Sequence, residues 1–206
     1  MIGIIDYGLG NVSAFHRLFY RENIESKIVS NKKDFKDVKK IIFPGVGAFD
    51  DTINKLNNSG LRDTLDHLVL EDKIPIFGVC IGMHIFGNSS EEGSLKGLGY
   101  INGDVVHIQN VIDSENLNFP HMGWNSIKTN FEHKIFSDVD KGFGFYFLHS
   151  YVFVPGSIDS ILCTSNYHKD IVSGIKHQNV YGFQFHPEKS HHNGIKLLKN
   201  FSNLDA

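Results

Sequence analysis

The segment Gly78-Val79-Cys80-Ile81-Gly82 puts a thiol between two glycines where a buried apolar run, Ile74–Val79, passes into a helix predicted from about Ile81. A sharp strand-to-helix turn strains its central residue, and side chains two positions away would meet neighbouring backbone, so the glycines have a steric reason. Cysteine at such a turn sits at a helix N-terminus, where the dipole favours thiolate. The N–H of Ile81 then points to where an acyl oxygen would gather charge. The chemistry implied is acyl transfer through cysteine. On the pentapeptide alone, a small buried hydrophobe at a strand end explains Cys80 equally well. Cys163, in Ser160-Ile-Leu-Cys-Thr164, has no such turn and reads as core.

A cysteine nucleophile needs a base to take the thiol proton and return it to the leaving amine, and an acid to fix that base's tautomer. Phe183-Gln184-Phe185-His186-Pro187-Glu188 ends an apolar strand with such a pair, and Pro187 stiffens the bend. Taken alone, a surface His-Pro turn with a solvated Glu explains it as well. Cys80 at another strand end shifts the balance, because open α/β sheets place their sites at the strands' carboxyl ends. His149, in Phe147-Leu-His-Ser-Tyr151, competes for the role of base. With 12 histidines in the chain, a lone histidine says little. His191 and His192 read as surface residues on the last helix, and no His-x-x-x-His spacing supports a metal site.

Two glycine loops follow strands. Pro44-Gly45-Val46-Gly47 allows close backbone approach or a peptide flip and could donate a second oxyanion N–H, although a plain turn explains the same residues. Gly8-Leu9-Gly10-Asn11-Val12-Ser13 resembles a dinucleotide fingerprint but has Ser13 at the third glycine and no clear ribose-binding acid beyond, so nucleotide binding is not expected there.

The elements that must hold these residues follow from hydrophobic spacing. Ile2–Asp6, Ser26–Ser30, Lys40–Phe43 and Ile74–Val79 read as strands. Val12–Arg21 reads as a helix, and Ile53–Leu70 as a helical pattern broken near Gly60. Strand-helix alternation predicts a parallel sheet covered on both faces. From about Tyr100 short strands crowd together, at Val105–Ile108, Ser126–Thr129, Phe145–His149, Ile161–Ser165, Val172–Lys176 and Tyr181–Phe185, predicting hairpins and a mixed sheet. A helix from Ser190 to Asn200 closes the chain. The expectation is an α/β fold with a mostly parallel central sheet flanked by helices, an antiparallel extension in the C-terminal half, and one domain over 1–206.

Composition narrows the class. With 20 Lys+Arg against 23 Asp+Glu, the net charge of −3 is no footprint for nucleic acid. The 41% hydrophobic and 21% charged content is that of a globular chain, which at this size buries about 70% of its unfolded surface. No run of about 18 apolar residues predicts a membrane span, and Met1-Ile2-Gly3-Ile4-Ile5-Asp6 has no basic leader region. Two cysteines suit a reducing compartment, so a cytoplasmic protein is expected.

Together these segments resemble the class I (triad) glutamine amidotransferases, and within them the glutaminase subunits of histidine biosynthesis. The markers are Asp6-Tyr-Gly-Leu-Gly-Asn11, Pro44-Gly-Val-Gly-Ala-Phe49, Gly78-Val-Cys-Ile-Gly-Met83, Ser89-Ser-Glu-Glu-Gly93, Pro120-His-Met-Gly-Trp-Asn125, Tyr146-Phe-Leu-His-Ser-Tyr151 and Phe185-His-Pro-Glu-Lys-Ser190. The resemblance implies that Cys80 attacks the carboxamide of glutamine, His186 shuttles the proton and Glu188 orients His186, with no cofactor and no metal. It implies oxyanion N–H groups from Val46 and Ile81, with the Gly45–Val46 peptide turning only when a partner holds its own ligand. It puts Gly47, His84, Glu92, His149 and Ser150 around the substrate. It also implies a one-to-one heterodimer with a (β/α)₈ cyclase facing Asn11, Trp124, Tyr146 and Lys189, with Met122 near the ammonia exit.

Two departures stand out. The family usually has Gln where this chain has His84, and imidazole cannot present both amide functions at once. Gly99-Tyr-Ile-Asn-Gly-Asp104 lacks the basic residue common after this glycine. These features leave open a paralogue that supplies ammonia for amidation of a bacterial surface sugar. A free-standing cysteine hydrolase and a non-catalytic binding protein of the same fold are the other readings.

Overall fold

The computed structural model describes residues 1–113, 118–129 and 131–204. The first half alternates as its periodicity predicts: β1 (Ile2–Ile5), α1 (Val12–Arg21), β2 (Ser26–Val29), β3 (Lys40–Phe43), α2 (Phe49–Asn58), α3 (Arg62–Leu70), β4 (Ile76–Val79) and α4 (Ile81–His84). Strands then dominate: β5 (Ser89–Ser90), β6 (Gly103–His107), β7 (His121–Asn125), β8 (Lys128–Thr129), β9 (Phe145–His149), β10 (Tyr151–Pro155), β11 (Ile161–Tyr167), β12 (Lys169–His177) and β13 (Val180–Phe183). Helix α5 (His191–Asn203) closes the chain. Among the described residues no helix is long and apolar enough to cross a membrane.

The main sheet runs β2-β1-β3-β4-β13-β12-β11-β8. Its first five strands pair in parallel and the last three antiparallel, which is the predicted mixed sheet. Strands β1, β3, β4 and β13 are buried at every residue, as a parallel sheet covered on both faces requires. Alternation along β1 sends Ile5 to one face and Ile4 to the other. Ile5 and Phe43 pack under Phe49, Ile53 and Leu56 of α2 and Leu65 and Val69 of α3. Ile4, Ile42 and Phe77 pack under Phe15 and Phe19 of α1 and Leu197, Leu198 and Phe201 of α5. Each fully buried Phe contributes about 1.5–3 kcal/mol, and twelve of the largest side chains with almost no exposure are all Phe, so these two layers carry the fold.

Several boundaries differ from expectation. Helix α2 starts at Phe49 rather than Ile53, because Asp50 and Asp51 in its first turn favour the helix N-terminus while the apolar stripe shows only further on. Strand β13 ends at Phe183, since the chain turns there toward His186. Only Lys128–Thr129 of the expected Ser126–Thr129 strand forms. Strands β5, β7 and β10 were not legible in the apolar pattern. They build two smaller sheets, β10-β6-β5 and the ribbon β7-β9, which stand apart from the main sheet.

Candidate active site

Cys80 leaves the end of β4 with φ 54° and ψ −114°, a conformation costing about 1–3 kcal/mol for a residue with a side chain. The flanking glycines make the turn possible. A Cβ on Gly78 would lie 2.4 Å from the Phe86 ring, and one on Gly82 would lie 2.5 Å from the Phe43 carbonyl oxygen. The expected helix after Cys80 is a single turn, Ile81–His84, too short to carry the dipole of a long helix. Cys80 is half-buried, whereas Cys163 is fully buried and burial pushes its thiol up to about 12, against a hydrogen bond from Ser173.

Strands β4 and β13 lie side by side, and the Cys80 N–H donates to the Phe183 carbonyl at 2.8 Å. Three residues beyond Phe183, His186 lies beside Cys80, near enough for the two groups to act on each other electrostatically. His186 Nδ1 lies 2.9 Å from Glu188 Oε1, and the two side chains are only 4% and 2% exposed. Burial alone would lower the imidazole pKa. Hydrogen bonds and charge attraction from Cys80 and Glu188 outweigh it and raise His186 to about 10. Glu188 Oε2 is buried without a hydrogen-bond partner, the one such side-chain atom among the described residues, so nothing else draws off its charge. The turn is held tightly. His186 N–H donates to the Tyr146 carbonyl at 2.9 Å, Ser190 Oγ donates to the His186 carbonyl at 2.6 Å, and Tyr146 N–H donates to Ser190 Oγ at 3.0 Å.

His149, the rival base, is placed differently. Its Nδ1–H donates to the Tyr151 carbonyl at 2.8 Å, and its Nε2 accepts from His121 Nδ1 at 2.9 Å. Both ring nitrogens are engaged, and burial with the neighbouring His121 drives its pKa well below the usual value. It is a neutral wall residue with both nitrogens committed, whereas His186 keeps one ring nitrogen clear of Glu188.

Beside Cys80 opens a cavity of about 270 Å³, bordered by Gly47, Ile81, His84, Glu92, His149 and Ser150, all of which the sequence singled out. Burial raises the Glu92 carboxyl pKa, opposed by the Phe49 N–H that donates to its Oε2 at 3.0 Å. Gly45 lies against α4, where a Cβ would come within 2.4 Å of the Ile81 side chain, and Gly47 has φ 128°. Val46 between them is half exposed. His84 is buried and bonded through Nε2 to Gln184 Oε1 at 2.7 Å. Gln184 was missed in the sequence, although a lone amide inside the apolar run from Tyr181 to Phe185 is a visible signal.

Of the residues expected to face a partner, Met122, Trp124, Tyr146 and Lys189 cluster around the β7-β9 ribbon. Met122 is 64% and Trp124 41% exposed, which excludes core packing for both. They pair across the ribbon with Leu148 and Tyr146, while His121 and His149 pair on its inner face. Lys189 Nζ sits 5.6 Å from the Tyr146 ring centroid, Trp124 stacks on His191, and Asn11 is exposed at the start of α1. Phe143, half exposed against Trp124, joins this apolar face and was not anticipated. A larger cleft of about 360 Å³ lies behind Glu188 between α1 and α5, lined by Arg17, Arg21 and Lys189 but not by Cys80.

The chain is similar to known proteins along most of its length. The family described as glutamine amidotransferase class-I matches residues 3–203. The imidazole glycerol phosphate synthase subunit HisH of Leptospira borgpetersenii is 44% identical over 204 residues, covering 99% of this chain and 100% of that protein. The subunit HisH 2 of Pseudomonas aeruginosa is 42% identical with the same coverage. Among solved structures, PurLQS from Thermotoga maritima superposes with a TM-score of 0.72 at 16% identity, covering 98% of this chain and 97% of that one. A glutamine amidotransferase from Thermotoga maritima gives 0.64 at 14%, covering 98% and 82%. These two likenesses speak for the fold alone. With the family match running nearly end to end over a strained cysteine elbow and a buried His-Glu pair, the chain belongs to the class-I glutamine amidotransferases.

Proposed function

We propose that this chain is the glutaminase subunit of an imidazole glycerol phosphate synthase, with residues 1–206 acting as one domain. The observation that carries the reading is the buried His186–Glu188 pair, 2.9 Å apart and facing Cys80, in a chain 44% identical along its length to a HisH subunit.

Cys80, as thiolate paired with the His186 imidazolium, attacks the side-chain carboxamide carbon of glutamine. The oxyanion that forms takes N–H groups from Ile81 and, once the Gly45–Val46 peptide has turned, from Val46. His186 gives its proton to the departing nitrogen, the C–N bond breaks, and ammonia leaves a γ-glutamyl thioester on Cys80. His186 then takes a proton from water, hydroxide adds to the thioester, and C–S cleavage releases glutamate and returns the thiolate. Glu188 keeps the imidazole in the correct tautomer throughout. Gly47, His84, Glu92, His149 and Ser150 line the substrate pocket, His84 and His149 as neutral walls whose bonded nitrogens are committed to protein partners. Ammonia leaves past Met122 into a (β/α)₈ cyclase docked on Asn11, Trp124, Tyr146 and Lys189.

Glutamate release by the purified chain, with and without the same organism's histidine-pathway cyclase and its ribonucleotide substrate, tests this reading. A rate near zero alone and a large rise with cyclase and nucleotide are expected. No rise from a folded chain overturns the histidine assignment. His84 then favours the paralogue, an amidotransferase feeding a sugar-modifying partner. Fast turnover without any partner points to a free-standing hydrolase.

A further inference from the structure

The sulfur of Cys80 has two polar neighbours besides His186, one an acceptor and one a donor: the thiol donates to the Leu148 carbonyl at 4.0 Å. Gln184 Nε2 approaches the sulfur at 3.9 Å, while Gln184 Oε1 lies 2.7 Å from His84 Nε2. Gln184 is completely buried and His84 is 3% exposed, so neither exchanges these contacts for bulk water. An amide oxygen only accepts, so this contact requires the His84 proton to be on Nε2. With the oxygen held there, the amide NH₂ faces the sulfur. The reverse orientation would set a carbonyl oxygen against a thiolate, which repels it.

We infer that His84 and Gln184 are positioning residues for the glutaminase reaction, His84 donating to Gln184 and Gln184 donating in turn to the Cys80 thiolate. The inference rests on the reading of Cys80 as nucleophile. His84 is tied to Cys80 by backbone as well, since its N–H donates to the Cys80 carbonyl at 3.2 Å. Burial pushes the His84 pKa down to about 4, with the Gln184 bond opposing, so the ring stays neutral and adds no charge beside the His186 imidazolium. Glutamine at position 84 could offer Gln184 either end of its amide. Neutral imidazole presents one nitrogen to Gln184, and with the proton on Nε2 it is a donor only, which matches the orientation that turns the Gln184 NH₂ toward the sulfur. Besides His84, the titratable groups facing this corner are Tyr7 after β1, Glu92 after β5, His121 of β7, His149 of β9, and His186 and Glu188 after β13. None of them is changed by the substitutions below.

The test is the rate at which iodoacetamide alkylates Cys80 in the full chain, without partner, from about pH 5 to about pH 9, read by peptide mass spectrometry so that Cys163 is counted separately. In His84→Leu the rate near neutral pH is expected to fall about fivefold to tenfold, the worth of the one neutral hydrogen bond that orients Gln184, with the profile displaced to higher pH. His84→Gln, which can still donate, restores most of the rate. Gln184→Leu lowers the rate by a similar factor, and adding His84→Leu to it changes nothing further, because one chain has been cut twice. A folded His84→Leu protein with the wild-type rate and profile overturns the inference, as do losses that multiply in the double variant. Should His84→Leu fail to fold, Gln184→Leu with an unchanged profile overturns it equally. Glutamate release persisting in Cys80→Ala would sink the nucleophile reading instead, an outcome the alkylation profile does not imitate.

Discussion

Val79 and Phe183 pair directly across the parallel strands β4 and β13, and the next residue, Cys80, donates its N–H to the Phe183 carbonyl. Because the two strands run the same way and end at the same level, the chains leaving their carboxyl ends meet. Cys80 and His186 are far apart in sequence and adjacent in space for this reason.

The elbow must fail if its glycines gain a side chain. A Cβ at Gly82 would sit 2.5 Å from the Phe43 carbonyl oxygen, a backbone atom that cannot swing aside. Gly82→Ala is expected to cost about 1–3 kcal/mol in urea unfolding and to remove most glutamine hydrolysis, since β3 and α4 must separate. Unaltered stability together with full activity would mean the elbow is looser than its geometry indicates.

Glu188→Gln keeps the shape of the side chain and deletes its charge. The His186 pKa, raised to about 10 although burial opposes it, should fall toward the ordinary value, which a proton-detected titration of the imidazole reads directly. Turnover should drop by about 10²- to 10⁴-fold through loss of the oriented base. The sign for stability follows. A histidine whose folded pKa lies above its unfolded value stabilises the fold fully below about pH 6.5, and that contribution disappears as pH rises through about 10. Urea midpoints of the wild-type protein should decline over this alkaline range, and those of Glu188→Gln should decline less.

The neutral histidines produce the opposite trend in acid. Burial lowers His84 and His121 to about 4, and His149 lies well below the usual range. The unfolded chain binds protons on these rings before the folded one does. Stability is therefore fully present above about pH 6.5 and falls toward pH 4, by on the order of 1 kcal/mol per pH unit for each ring inside its window. Replacing His121 by Phe should flatten the acid limb of the urea midpoint curve; an unchanged slope would show that His121 titrates normally.

The exposed ribbon face predicts its own cost. Trp124, 41% exposed and packed against Phe143 and His191, is a large aromatic left partly open by the described residues. Trp124→Ala is expected to weaken cyclase binding by about 30-fold or more while leaving partner-free alkylation of Cys80 unchanged. Titration calorimetry with the cyclase measures it, and an unaltered Kd would place the interface elsewhere.

Much of this protein was legible from residue types and spacing. The strand-helix alternation of the first half is written in its apolar periodicity. Cys80, His186 and Glu188 stand out because a thiol between glycines and a His-Pro-Glu turn are chemically unusual. What remained hidden is whatever depends on contacts distant in sequence. Strands β7 and β10 carry too little alternation to be seen, since their partners β9 and β6, and not their own residues, make them strands. Whether His149 or His186 is the base could not be decided from spacing. The packed chain adds what spacing lacks: His121 and Tyr151 occupy both nitrogens of the His149 ring, while Glu188 takes only one nitrogen of His186, which favours His186 for the role proposed. The sequence by itself determined which chemical groups are available and the local turns that strain or expose them. Only the tertiary structure decided which groups meet and which proton each carries, because hydrogen-bond partners and burial are properties of the packed chain.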